Sequence, residues 1–151
     1  MESIRVQNKD IYRIEVNDKG ECIQFDLTDI ELPFRLEKSK NMVNDAEQWL
    51  KGQILIIGKR EDVPGKDGGL SANERAQLEA YREFFRRMRA AIDVLAGKDA
   101  AQKIFGDQNY VGMFNDFMEQ MAPHFDKMQL KGIDIKKRIE EKYGEKADDE
   151  I

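Results

Sequence analysis

The residues that do covalent or metal chemistry are scarce in this chain: it has one cysteine, Cys22, and one histidine, His124. A lone cysteine closes no internal disulfide and fits a reducing compartment. Cys22 falls on the polar side of a strand-like alternation, so the sequence predicts no thiol–imidazole nucleophile pair with His124. Zinc takes about four ligands from cysteine, histidine or carboxylate, and no such cluster is spelled out. His124, between Pro123 and Phe125, reads as a surface or helix-end residue. Long apolar runs are missing too; nothing approaches the roughly 20 residues that a membrane-spanning helix needs. The opening stretch MESIRVQNKD lacks the charged-then-apolar pattern of a secretory leader, and the expectation is a cytoplasmic protein. Positive charge is in deficit, with 25 Lys and Arg against 30 Asp and Glu and a formal net charge of −5. The chain as a whole therefore has no attraction for nucleic acid or an anionic membrane. Carboxylates are plentiful, and counts alone leave a paired-carboxylate site open. Most of them, however, lie at polar helical positions beside lysine or arginine, as on a solvated face. The expectation is a protein without catalytic activity, metal or organic cofactor.

What is present is periodic. Tyr12, Ile14 and Val16 alternate with Arg13 and Glu15, and Ile23, Phe25 and Leu27 alternate with Gln24 and Asp26. Each alternation marks a strand with one buried face. Asn17-Asp18-Lys19-Gly20 between them holds residues that tolerate turn geometry, which predicts a β-hairpin. Ile4 and Val6 offer a third strand. Residues 1–28 are therefore read as a β element, and two or three strands must lie on something to be stable.

Helical spacing follows. Residues 33–59 read as a long helix: Pro33 suits the first turn, and Leu36, Val43, Ala46, Leu50, Ile54 and Ile57 recur at steps that share a face. The run Ile54-Leu55-Ile56-Ile57 fits a buried strand as well, and Gly52 is a weak point. Residues 60–70 form a loop, with Pro64, Gly65, Gly68 and Gly69 among charges. Gly65-Lys66-Asp67 lacks the Ser or Thr after lysine that a phosphate-binding loop requires, so a flexible connector is expected. Ser71-Ala72-Asn73-Glu74 is a capping box, opening a helix through Leu78, Tyr81, Phe84, Phe85, Met88, Ile92 and Leu95 that stops at Gly97. A short helix then leads to the Ile104-Phe105-Gly106-Asp107 break. A further helix carries Val111, Phe114, Phe117, Met118, Met121, Phe125 and Met128 on one face, with Asp107 or Asn109 as its cap. Ile133, Ile139 and Tyr143 suggest a last short helix. The expected organisation is one α+β domain over residues 1–145, an N-terminal hairpin packed on a mainly helical body that includes 71–143. Residues 146–151 read as a charged, flexible tail.

Two surfaces are candidates for partner binding. Arg82, Arg86 and Arg89 recur at steps of four and three on one helical face, with Arg87 nearby. They form either a solvated face, partly neutralised by Glu79 and Glu83, or a docking stripe for an acidic partner or a sister subunit. Nucleic acid is disfavoured by the acidic total. The second surface is the aromatic and methionine face that includes Phe114, Met118 and Met121. Core packing is the default for such a stripe, here against Phe84, Phe85 and Met88. Methionine also adapts well to varied partners, which leaves part of that face as a docking groove.

The order of these features resembles the tail assembly chaperones of long-tailed, siphophage-type phages and Gram-positive prophages. The residues that carry the resemblance are Phe25-Asp26-Leu27 ending a strand and Pro33-Phe34-Arg35-Leu36-Glu37-Lys38 opening a helix. Ala91-Ile92-Asp93-Val94-Leu95-Ala96-Gly97 and Lys103-Ile104-Phe105-Gly106-Asp107 follow, and the likeness runs from about Glu21 to Met128. It implies a chaperone that binds the phage tape measure protein while tail tube subunits assemble around it, in the host cytoplasm. The tail tube protein and a second copy of the chain are further partners under that reading. A small cytosolic α+β adaptor unrelated to phage is the alternative.

Overall fold

The computed structural model describes residues 1–6 and 10–139, with residues 130–139 as helix backbone. Strands β1 (Ile11–Glu15) and β2 (Cys22–Asp26) form a two-stranded antiparallel sheet, with Tyr12 opposite Phe25 and Ile14 opposite Ile23. That register places the alternating apolar residues of both strands on one face, and Ile23 and Phe25 are fully buried there. The turn between the strands is built by Asn17, whose Oδ1 accepts the N–H groups of Lys19 and Glu21, while Gly20 takes a φ of +78°. The third strand expected at Ile4 and Val6 is not formed. Residues 1–6 carry no strand and both side chains are exposed, so burial supplies nothing to offset the ordering of that segment.

Among the described residues four α-helices follow: α1 (Leu32–Gly58), α2 (Ala72–Ala96), α3 (Ala100–Phe105) and α4 (Met113–Ile139). This is an α+β fold with an N-terminal hairpin and a mainly helical remainder. Helix α1 includes Gly52 and the whole Ile54–Ile57 run, so the strand alternative for that run falls away. Its apolar side chains divide as on a helix: Ile57 is buried, whereas Leu55 and Ile56 are exposed. Helix α2 begins as the capping box requires, with Ser71 Oγ accepting the Glu74 N–H at 3.1 Å and the Glu74 carboxylate accepting the Ser71 N–H at 3.3 Å. It ends at Gly97.

The connector between α1 and α2 contains a single 3-10 turn, Lys66–Gly68, and folds back on the start of α2. Asp62 Oδ1 accepts the N–H of Val63 at 2.8 Å and of Asn73 at 3.0 Å, and the Val63 carbonyl accepts the Ala72 N–H at 2.9 Å. Hydrogen bonds from the Asn73 N–H first, then from the Ser71 side chain and the Val63 N–H, hold the Asp62 carboxyl below its ordinary pKa.

The start of α4 differs from expectation. Neither Asp107 nor Asn109 caps it: Asp107 accepts a bond from the Gln102 amide at 2.6 Å, and Asn109 accepts one from Arg89 at 2.8 Å. The chain instead turns through Tyr110 and Val111 to Gly112, at a φ of +88° that glycine adopts without steric cost. The Gly112 carbonyl then accepts the Asp116 N–H at 2.9 Å. Val111, expected on the apolar face, is exposed in that turn. The separate last helix is also corrected, because α4 runs unbroken through Pro123 to Ile139. Tyr143 and the tail at 146–151 lie outside the described residues.

Contacts group the chain into two compact units, Met1–Leu32 with Tyr110 onward, and Pro33–Asn109. In the first unit the hairpin is joined to α4 through Tyr12, whose hydroxyl lies 2.6 Å from His124 Nδ1. In the second, Ser39 Oγ on α1 donates to the Ala91 carbonyl on α2 at 2.8 Å, and both residues are buried. Ala46, Ala80, Ala91, Ala100 and Ala101 are all buried in this unit, small side chains that let backbones approach closely.

Candidate functional site

Arginine spacing puts Arg82, Arg86 and Arg89 on the same face of α2, and the structure gives each a different environment. Arg82 is exposed. Arg86 grips Glu83 in a two-pronged pair, Nε to Oε2 at 2.7 Å and Nη2 to Oε1 at 2.5 Å, with most of its side chain in solvent. Arg87 shares that carboxylate at 3.0 Å and lays its guanidinium over the Trp49 ring, 4.2 Å from the centroid. Held by the hydrogen bonds and charges of Arg86 and Arg87, the Glu83 carboxyl has its pKa lowered to about 2. Arg89 reaches across to the segment after α3, donating to Asn109 Oδ1 at 2.8 Å and to the Gln108 carbonyl at 2.9 Å, with its guanidinium 5.7 Å from the Phe105 centroid. It holds the segment that follows α3. Of the three arginines, Arg82 is the one that no carboxylate or amide engages among the described residues.

The aromatic and methionine face divides in the same way. Phe114 and Met121 are buried, together with Met113, Phe117 and Met128, whereas Met118 is 53% exposed. The docking groove expected at Phe114 and Met121 is therefore closed in this structure, because the apolar stripe is spent on burial. Met118, one residue past Phe117, points off the buried stripe and stays open.

His124 lies inside α4 rather than at a helix end, half-buried. Its ring meets that of Tyr12 edge-on, with centroids 5.6 Å apart. With Nδ1 unprotonated the tyrosine hydroxyl donates to it, which accounts for the histidine as a tie between strand and helix. Cys22 is exposed. Among the described residues no group of three or more His, Cys, Asp or Glu side chains is placed to hold a metal ion, and no helix is long and apolar enough to cross a membrane.

Reading the sequence by its arginines missed the residues beside them. Leu78 is 53% and Tyr81 44% exposed on α2, adjacent to Arg82 at steps of four and one. Arg75, seven residues before Arg82, is exposed on the same face. The signal was available: Leu78 and Tyr81 recur with the apolar stripe, yet they lie in the first half of α2, where burial is incomplete. No protein-family model, curated protein or solved structure matches the chain.

Proposed function

We propose that this chain is a phage tail assembly chaperone, which binds the tape measure protein in the host cytoplasm while the tail tube assembles. The observation that supports it is the order of boundaries along the chain. A strand ends at Asp26, a helix opens at Leu32-Pro33, a second ends at Ala96-Gly97, and a short third ends at Phe105-Gly106. That is the order of features on which the resemblance to this family rests. The working principle is binding without chemistry: a charged, largely helical protein covers apolar helix faces of a long partner that would otherwise aggregate, and keeps the complex soluble. Exposed apolar residues on α1, α2 and α4 (Leu55 and Ile56, Leu78 and Tyr81, and Met118) supply contact area for it.

The test is co-expression with the tape measure protein encoded nearby, followed by a pull-down and a solubility assay. Co-purification with a gain in solubility is expected. If the tape measure protein neither co-purifies nor becomes more soluble, the chaperone reading fails.

A further inference from the structure

We propose that the outer flank of α2, built from Arg75, Leu78, Tyr81 and Arg82, is the docking surface, and that its occupant is an acidic amphipathic helix. This inference rests on the chaperone reading for its biological partner, but its chemistry stands on α2 alone. The surface of helix α2 divides into three zones. One zone is buried, with Ala80, Met88, Ala91, Ile92 and Leu95. A second is apolar yet open: Leu78 and Tyr81, three residues apart and about half exposed, continue the apolar surface toward the start of the helix, with Tyr81 seven residues before the buried Met88. The third is cationic: Arg75 and Arg82 are seven residues apart and so one above the other, next to Leu78 at steps of three and four. Glu79 lies on the far side of these arginines from Leu78 and Tyr81, so it does not separate the apolar zone from the cationic one.

Charge selects the occupant. The chain carries a net −5, yet the two cations of this flank are exposed and engage no acid among the described residues. Arg86 and Arg89, by contrast, are committed to Glu83 and to the segment after α3. An apolar strip edged by free guanidinium groups is matched by a helix whose own apolar strip is edged by carboxylates. Arginine favours such a contact, since its planar fork engages carboxylate in two bonds. A helix laid along α2 would place its leucine-like residues on Leu78 and Tyr81 and its acids over Arg75 and Arg82. A basic helix would meet like charge at the same place.

Two synthetic helices of about 21 residues test this, sharing leucines at the core heptad positions and differing in glutamate or lysine at the flanking ones. Fluorescence anisotropy of each labelled peptide against the full chain should show binding of the glutamate peptide and little of the lysine peptide. Arg75→Glu with Arg82→Glu should weaken the glutamate peptide by about tenfold or more at low salt and much less at high salt. Leu78→Asp should weaken it at any salt. Circular dichroism and the urea midpoint confirm that each variant is folded; all these side chains are exposed, so the fold should hold. Equal binding of the two peptides overturns the proposal, as does indifference of the glutamate peptide to the variants. Self-association that Leu78→Asp abolishes, without peptide binding, also overturns it, since the occupant would then be a second copy. The tape measure pull-down separates the two readings. If Leu78→Asp retrieves that protein as well as the wild type, this surface is wrong and the chaperone assignment stands. If the glutamate peptide binds at α2 but no tape measure protein is retrieved, the surface stands and the assignment falls.

Discussion

Helices α2 and α4 are nearly equal in length, at 25 and 27 residues, and are made in opposite ways. Helix α2 is defined at both ends by local chemistry, a reciprocal box at Ser71 and Glu74 and a glycine stop at Gly97. Its buried side chains include alanines at 80 and 91 and no aromatic ring. Helix α4 has no such box at its start, contains Pro123, and buries large side chains: Met113, Phe114, Phe117, Met121 and Met128. One helix is specified by its ends and the other by its apolar stripe. The contrast teaches where each is vulnerable. Cap chemistry contributes about 1 kcal/mol, whereas a buried aromatic contributes several.

That contrast is breakable at the stripe first. Phe117→Ala should lower the stability of the protein by about 3–5 kcal/mol in urea unfolding, because Phe117 is 8% exposed. Its neighbour Met118, 53% exposed, should change to alanine within about 0.5 kcal/mol. Near-equal losses for the two would show that α4 has no buried stripe of this kind. Next in size is Pro123→Ala. Proline inside a helix lacks the N–H that would reach the carbonyl four residues back, and its ring crowds that carbonyl. Because Pro123 is exposed within α4, alanine should raise stability by as much as about 3 kcal/mol. A lowered urea midpoint would mean that the proline shapes α4 in a way the protein needs.

These helices also show how far the sequence could be read. The ends of α2 were legible because a capping box and a terminal glycine act over three or four residues, within the reach of a local pattern. The start of α4 was not legible. Asp107 and Asn109 are good caps by type, but each is engaged elsewhere, by Gln102 and by Arg89 twenty residues away in sequence. Competition for a side chain is a tertiary fact. The same holds for the candidate surfaces. Spacing placed Arg82, Arg86 and Arg89 on one face correctly, but not the bonds of Arg89 to Gln108 and Asn109. It placed Phe114, Met118 and Met121 on one helix, but only the folded chain distinguishes the open Met118 from its buried neighbours.

Smaller effects sharpen the comparison from the α2 side. Ser71→Ala should cost about 1 kcal/mol and should increase amide exchange in the first turn of α2 while leaving α4 unaffected. An unchanged exchange rate at Glu74 would remove the box as the origin of that helix. The weakest effect is at Glu83. Its carboxyl pKa is lowered to about 2, first by the hydrogen bond from Arg86 and then by that from Arg87. A carboxyl with a depressed folded pKa contributes its stabilisation in full above its unfolded pKa and loses it as pH falls through the folded one. The contribution should therefore be constant at neutral pH and fade between about pH 4.5 and about pH 2. Carboxyl NMR should place the Glu83 midpoint near the bottom of that window, and a midpoint near the ordinary glutamate value would mean that the pair with Arg86 is absent in solution.

The guanidinium of Arg87 over Trp49 has an optical consequence. Trp49 is the single tryptophan of the chain, and it belongs to α1 while its cationic cover belongs to α2. Its emission therefore reports on the pairing of those two helices. Melting followed at once by tryptophan emission and by circular dichroism becomes a measure of cooperativity, because coincident transitions are the mark of all-or-none unfolding. If the emission shifts together with the larger part of the helicity while the remainder melts at a higher temperature, the segment Pro33–Asn109 unfolds on its own, and the protein holds two thermal events in one short chain.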